Sequence, residues 1–155
     1  MKKLALMILM SGMAVGQAGD SAGFHDWTKG QIEQMETALA PQMDAHKFKS
    51  STIATEGNHR FVIVHREGPG QSEYHATESD IVFFQSGHAT LTYGGKMVGA
   101  TETAPNEQRG SGIEGGTKKA VGVGDVFAIP AKMPHMVTPL NGETVNYFVV
   151  KVTEP

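Results

Sequence analysis

From Thr52 to the end of the chain, short apolar runs alternate with turn residues, and this pattern restricts the domain to an all-β fold. Runs such as "RFVIVHR", "IVFFQSG", "ATLTYGG", "DVFAIP" and "TVNYFVVKV" have an apolar period of two, and Gly, Pro or Asn separates them. Short strands with frequent turns are typical of a β-sandwich or a β-barrel. No alternation of strands with helical patterns occurs here, which argues against a parallel α/β sheet.

The first 18 residues have the pattern of a secretory signal peptide. Lys2 and Lys3 precede the apolar run Leu4 to Val15, and small residues stand at Ala18 and Gly16, one and three positions before the expected cut. About a dozen apolar residues fall short of the roughly 20 that span a bilayer, so an uncleaved anchor is the weaker alternative. We expect cleavage near Ala18, a periplasmic or secreted protein, and no membrane contact after cleavage.

The chain divides into three segments. Residues 1–18 form the leader, residues 19–50 an N-terminal extension with one short helix, and residues 51–155 the β domain. In the extension, "WTKGQIEQMETALAP" predicts the helix, because Thr28 can cap it and Gln31 stands three residues later, as in a capping box.

Composition excludes several functional classes. The chain of 155 residues contains no cysteine, which excludes disulfides and thiol chemistry. Loss of Lys2 and Lys3 with the leader takes the formal net charge from −3 to −5. Because basic residues are not clustered, a nucleic-acid partner is not expected.

The polar stretch "TETAPNEQRGSGIEGGTKK" interrupts the strand rhythm. Its glycines and polar residues predict a loop or an irregular hairpin, where side chains are free to do something other than pack. Arg109 and Glu114 of this stretch can contact a substrate at the domain mouth or form a surface ion pair.

The stretch "EYHATESD" concentrates candidate metal ligands. Glu73 and His75 are two apart on an extended segment, so both side chains point to one face. A turn follows and Asp80 opens the next strand. Antiparallel pairing of the two strands would bring Asp80 close to the other two side chains, with Val82 and Phe84 on the same inward face.

The second stretch is "GVGDVFAIPAKMPHMVTPLNG". A turn at Gly124 and Asp125 leads into a strand, and the tight connection from Pro130 to Pro134 delivers His135.

Together the two stretches resemble the signature motifs of the cupins, a superfamily of small β-barrels. The second cupin motif is written G-x5-P-x-G-x2-H-x3-N. Gly124, Pro130 and His135 match its spacing, whereas Lys132 stands where glycine is usual and Pro139 where asparagine is usual.

The first cupin motif is written G-x5-H-x-H-x3,4-E-x6-G. His75 falls on its second histidine, Asp80 on its glutamate and Gly87 on its closing glycine. Glu73 occupies the place of the first histidine, and Gly68 is one residue too close to serve as the opening glycine. The resemblance covers about residues 55 to 152.

The resemblance implies a jelly-roll barrel with one divalent metal, bound by His75, Asp80 and His135 with Glu73 as a fourth ligand. Two imidazoles and up to two carboxylates suit Fe, Mn or Zn better than Cu(I), and Ni is also compatible. Two alternatives stay open: Glu73 acts as a general base instead of a ligand, and Glu78 replaces Asp80 as the acidic ligand.

The leading functional hypothesis is an exported metalloenzyme that acts on a small oxygen-bearing molecule by dioxygenase, isomerase or lyase chemistry. The second is a non-catalytic cupin that binds a sugar or an organic acid, and a third is a barrel without metal or ligand. Candidate substrate contacts are His65, Arg109 and Phe84. The resemblance also implies a homodimer.

Overall fold

The computed structural model describes residues 22–155, so the predicted signal peptide lies outside the described residues. This part of the chain contains helix α1 (Lys29–Thr37), a 3-10 turn (Ala40–Gln42) and thirteen strands. The strands are β1 (Phe48–Glu56), β2 (His59–Arg66), β3 (Ser72–His75), β4 (Glu78–Ser86), β5 (His88–Tyr93), β6 (Lys96–Val98), β7 (Thr101–Ala104), β8 (Glu107–Gly110), β9 (Gly112–Glu114), β10 (Thr117–Gly122), β11 (Val126–Ile129), β12 (His135–Pro139) and β13 (Val145–Thr153).

Two antiparallel sheets enclose the core. A five-stranded sheet has the order β1-β2-β13-β4-β11, and a six-stranded sheet has the order β10-β5-β12-β3-β8-β7. Strands β6 and β9 form a separate two-stranded sheet. The connection after β3 crosses from the six-stranded to the five-stranded sheet, so the metal-ligand candidates of "EYHATESD" come from both sheets.

Alternation along the strands directs one face of each sheet to the interior. The core consists of buried apolar side chains from both sheets, namely Val62, Val64, Val82, Phe84, Ala89, Leu91, Val121, Ile129, Val137, Val145, Tyr147 and Val149. Each fully buried Val, Leu or Ile side chain contributes about 1.5–3 kcal/mol to stability. The prediction of an all-β barrel with inward-facing Val82 and Phe84 is confirmed.

The predicted short helix is present and begins as expected. The Thr28 side chain accepts a hydrogen bond from the Gln31 amide, and the Gln31 side chain accepts one from the Thr28 amide at 2.8 Å. Trp27 packs on Phe61 of β2, with ring centroids 5.3 Å apart, and so covers the outer face of the five-stranded sheet. Within residues 22–155, no helix has the length and apolar character needed to cross a bilayer.

Of the two predictions for the polar stretch, the irregular hairpin is confirmed: β7 and β8 pair antiparallel with a register shift between Glu102 and Ala104. Residues 101–114 contain β7, β8 and β9, and β8 pairs directly with β3. The side chains of β7 are exposed and those of β8 are partly buried, so the polar composition did not indicate that β8 joins the six-stranded sheet. The pairing sets Arg109 opposite Glu73 and Glu107 opposite His75.

Two turns explain how the motif residues are positioned. Gly87 has a φ of +71°, and a Cβ there would collide with the Thr144 carbonyl oxygen. Lys132, at the motif's usual glycine position, keeps a left-handed backbone with a φ of +65°. Its amide donates a hydrogen bond of 2.8 Å to the carbonyl of His75, which fixes the turn before His135 against β3.

Candidate metal centre

Three of the predicted ligands come from neighbouring strands of the six-stranded sheet. Glu73 and His75 point inward from β3, and His135 of β12 stands opposite Glu73 in the register. The Glu73 Oε2 atom lies 3.8 Å from His75 Nε2 and 3.9 Å from His135 Nε2. Residue alternation on β3 therefore brings these side chains together, as the sequence predicted.

Asp80 reaches the same point from the opposite sheet. The expectation that its strand pairs with β3 is wrong, because β4 pairs with β11 and β13. The Asp80 carboxylate crosses the interior, and its Oδ2 lies 3.5 Å from His75 Nε2 and 3.6 Å from His135 Nε2. We call Glu73, His75, Asp80 and His135 the central cluster.

The donor atoms of the central cluster fit a divalent metal in type and spacing. Atoms bound to one ion at about 2.0–2.2 Å lie roughly 3.0–4.4 Å apart, depending on the coordination geometry. The four separations between a histidine nitrogen and a carboxylate oxygen, 3.5–3.9 Å, fall within that range. Glu73, His75 and His135 thus form a group that could hold a metal ion.

Glu107 orients His75 from outside the central cluster. Its Oε2 lies 2.6 Å from His75 Nδ1, so the other ring nitrogen, Nε2, faces the interior. A carboxylate on the far nitrogen of a histidine is the arrangement that fixes metal-ligating imidazoles. Burial lowers the pKa of His75, but interactions with Asp80 and Glu107 raise it to about 9 overall. Glu107 was missed because it lies in the stretch predicted as a loop or an irregular hairpin, for which no strand partner was assigned.

His135 is held in the complementary way by the backbone. Its Nδ1 lies 3.1 Å from the Met133 carbonyl oxygen and donates to it. That contact leaves Nε2 directed at the carboxylates of the central cluster. Burial lowers the pKa of His135, so the imidazole is neutral and offers a free lone pair.

Lys151 enters the central cluster from β13. Its Nζ lies 2.9 Å from His75 Nε2 and 2.6 Å from Asp80 Oδ1. A hydrogen bond between two nitrogens needs a lone pair on one of them, so Lys151 and His75 together carry one positive charge. Lys151 was missed, although its inward parity with Tyr147 and Val149 in "TVNYFVVKV" is a readable signal.

Two arginines hold Glu73. Arg66 Nη2 lies 3.0 Å from Glu73 Oε1, and Arg109 Nη1 lies 2.8 Å from Oε2. Burial alone would raise the pKa of Glu73, but the two guanidinium groups keep it well below its usual range. Arg66 is 1% exposed and its guanidinium carbon lies 4.5 Å from the Phe48 ring centroid. Arg66 was also missed by sequence reasoning, despite sharing inward parity with Val64.

The charges around the central cluster balance without a metal. Glu73, Asp80 and Glu107 carry three negative charges. The two guanidinium groups on Glu73 and the single charge shared by Lys151 and His75 offset them. Buried carboxylates are stable only when paired in this manner.

The remaining predicted site residues lie elsewhere. His65 is on the outward face of β2, where its Nδ1 lies 2.8 Å from Asn146 Oδ1, because the inward face of that strand carries Val62 and Val64. Phe84 packs in the core, stacked on Tyr147 at 5.6 Å, and does not line the cavity beside the central cluster.

Glu78, the alternative acidic ligand, is bound to Arg60. The Glu78 Oε2 atom lies 2.6 Å from Arg60 Nη2, and this pair flanks the central cluster. The hydrogen bond from Arg60 lowers the pKa of Glu78. Of the two alternatives, Asp80 rather than Glu78 faces both histidines.

A partly open cavity of about 50 Å³ adjoins the central cluster. Its lining includes the polar side chains of Glu73, Asp80, Arg109, His135 and Lys151. Apolar side chains line it as well, among them Val62, Val64, Val82, Val137 and Val149. The space holds about three to five water-sized groups.

The metal-free protein is expected to lose stability in acid. Although burial raises the pKa values of Glu73 and Asp80, their charged partners lower them below the ordinary 4.5 and 3.8. A lowered folded-state pKa stabilises the protein above the unfolded value, and this contribution is lost as the pH falls. Urea midpoints in EDTA should therefore drop as the pH falls from about 5 to about 3. An unchanged or higher midpoint in acid would contradict the ion pairing.

Comparison with solved structures identifies the fold, whereas no family model and no curated protein matches the chain. The cupin domain of Schizosaccharomyces pombe Cnp3 superposes with a TM-score of 0.52 at 11% identity, covering 74% of this chain and 67% of that one. An oxalate oxidase gives 0.52 at 12% identity, covering 71% and 53%. The Fe(II) form of HppE gives 0.51 at 12% identity, covering 68% and 50%.

These likenesses concern the barrel alone. The chain spans about half the length of the oxalate oxidase and HppE chains. Two packed antiparallel sheets, the motif turns at Gly87 and Lys132, and inward-facing histidines on β3 and β12 agree with the similarity that the sequence indicated. The protein therefore has the cupin fold.

Proposed function

We propose that the protein binds one divalent metal in the central cluster and acts on a small oxygen-bearing molecule. Fe, Mn and Zn suit two imidazoles and two carboxylates, and Ni is compatible. The observation that carries the proposal is that donor atoms of Glu73, His75 and His135 lie close enough to hold one ion, while the Asp80 carboxylate from the opposite sheet lies 3.5 and 3.6 Å from the two histidine nitrogens. Two of the structural neighbours named above, an oxalate oxidase and Fe(II) HppE, are consistent with it.

In this proposal His75, Asp80 and His135 hold the metal and Glu73 is the fourth ligand. A bound divalent metal supplies Lewis-acid polarisation of a carbonyl or enolate oxygen, or a site for O2 if it is iron or manganese. Glu107 keeps the His75 ring in the orientation that ligation requires. The apolar walls of the cavity exclude water from the reacting molecule.

Glu73 is better suited to ligation than to proton transfer. Both of its oxygens contact guanidinium groups, which favour the ionised form. A general base works best with a pKa near the working pH, and the pKa of Glu73 is held far below that. Of the two roles that the sequence left open, the geometry favours the metal ligand.

The substrate class follows from the cavity. Its volume of about 50 Å³ admits only a few non-hydrogen atoms unless side chains move. Arg109, whose side chain is 25% exposed, stands where the cavity meets the surface and can attract an anion. We therefore propose a small organic acid or a similarly small carbonyl compound.

Two further proposals rest on the sequence. The pattern of residues 1–18 supports export to the periplasm or the medium. The cupin resemblance supports a homodimer.

A non-catalytic cupin that binds a small acid or a sugar is the second candidate. The charge balance around the central cluster favours this candidate, because side chains of the protein already offset the carboxylate charges. Turnover of a small-molecule library by the metal-loaded protein would distinguish the two functions.

Metal content tests the proposed function. Protein purified without chelating resin should contain about one Fe, Mn, Zn or Ni per chain by elemental mass spectrometry. His75→Ala should lose the metal and retain the fold by circular dichroism. His46→Ala is the matched control, because His46 is exposed and lies outside the central cluster, and it should keep the metal. A folded wild type that stays metal-free after exposure to all four ions would overturn the proposal.

A further inference from the structure

Lys151 forms hydrogen bonds to two of the proposed metal ligands, His75 and Asp80. Its Nζ is 2.9 Å from His75 Nε2 and 2.6 Å from Asp80 Oδ1, and the residue is 9% exposed. We propose that Lys151 is an internal competitor of the metal: it fills the central cluster in the metal-free protein and has to leave before a metal binds. This inference rests on the proposed function.

Competition follows first from the chemistry of the imidazole ring. The Nε2 of a histidine has one position in the ring plane, which holds either a lone pair or a proton. In the structure that position is used by Lys151. A metal–nitrogen bond at His75 therefore requires the contact with Lys151 to break.

Competition follows secondly from charge. The Lys151 amine, which shares one positive charge with His75, lies 2.6 Å from one oxygen of Asp80, whose other oxygen faces the two histidines. A divalent ion among these donors would stand within a few ångströms of that shared charge, and two cations in a buried space repel strongly. The single negative charge of Asp80 does not offset both the divalent ion and the charge at Lys151.

Lys151 also joins the two sheets when no metal is present. It extends from β13 of the five-stranded sheet and contacts His75 of the six-stranded sheet. Removal of its charge would leave Asp80 buried without its closest cation, at a cost in stability. The same side chain therefore stabilises the metal-free barrel and weakens its affinity for metal.

The test combines metal affinity with thermal stability in Lys151→Met, which keeps the chain length and removes the charge. Calorimetric titration at fixed pH should show Zn²⁺ and Mn²⁺ binding about 10- to 100-fold tighter than in wild type, since a hydrogen bond to a charged group no longer opposes ligation. In EDTA the variant should unfold at a lower temperature than wild type, and saturating Zn²⁺ should close the gap. Lys118→Met, on the exposed part of β10, should change neither property.

A measurement on the wild type covers the case in which Lys151→Met does not fold. Acetylation of lysine amines, followed by peptide mass spectrometry, should find Lys151 protected in EDTA and more reactive with saturating Zn²⁺, while Lys118 is unchanged. Equal metal affinity of wild type and Lys151→Met, or acetylation of Lys151 that does not change with Zn²⁺, overturns the proposed competition and leaves the proposed function standing. Failure of both proteins to bind any metal overturns the proposed function and the competition with it.

Discussion

Replacement of Glu73 by Gln is expected to lower the free energy of unfolding by about 3–5 kcal/mol, because it breaks a buried ion pair and leaves charge uncompensated. Arg66 and Arg109 both contact this carboxylate, and Arg66 is almost completely buried. A glutamine amide can accept from one guanidinium but presents a donor to the other. For a protein of this size the melting temperature should fall by roughly 6–20 °C.

The comparison should be made in EDTA, so that loss of a metal ligand does not contribute. Glu102→Gln is the matched control, because Glu102 is exposed on β7, and surface substitutions of this kind change stability by about 0.5 kcal/mol or less. A loss below about 1 kcal/mol for Glu73→Gln would show that the two arginines do not depend on this carboxylate.

His135→Ala is expected to abolish the stabilisation that metal provides. Metal at about 1,000 times its dissociation constant raises the free energy of unfolding of the wild type by about 4 kcal/mol. If loss of one imidazole weakens metal affinity about a thousandfold, the same metal concentration raises the free energy of unfolding of the variant by less than about 0.5 kcal/mol. Urea denaturation with and without Zn²⁺ measures this increase for both proteins.

The difference between the two denaturation curves is the informative quantity, since His135→Ala also leaves a space in the core and destabilises the metal-free protein. His46→Ala should show the full stabilisation by Zn²⁺. An undiminished response of His135→Ala would remove this histidine from the set of ligands and favour a site built on His75, Glu78 and Glu107, whose donor atoms also lie close together.

The sequence was most informative where local periodicity determines geometry. The separation of two residues between Glu73 and His75 predicts a common face on any extended strand, whatever the surrounding fold. The spacing from Gly124 through Pro130 to His135 similarly predicts a turn, a strand and a tight connection. Both predictions depend on neighbouring residues only, and both describe the structure.

The sequence was less informative where a side chain depends on distant pairing. The position of Asp80 near His75 was expected from a hairpin, but it arises across the barrel from the opposite sheet. His65 was a candidate because it shares a face with Phe61, and only the packing of Trp27 on Phe61 shows that this face is the outer one. Sequence parity defines two faces without indicating which of them is inside.

Charged residues on inward faces were the neglected signal. Arg66 ends "RFVIVHR" and Lys151 follows "NYFVV", each in phase with buried valines. A charged side chain on the inner face of a strand needs an internal partner, and here the partners are Glu73 and Asp80.

The contacts that join the two sheets are of two kinds. Ionic contacts run through Lys151 to His75 and through Arg66 to Glu73, and elsewhere the sheets meet through side chains such as Leu91, which belong to the apolar core. Polar contacts of this kind weaken in acid, whereas apolar contacts are insensitive to pH. Acidification should therefore weaken the ionic contacts between the sheets first, so that amide protons of β3 exchange with solvent before those of strands held together by the apolar core.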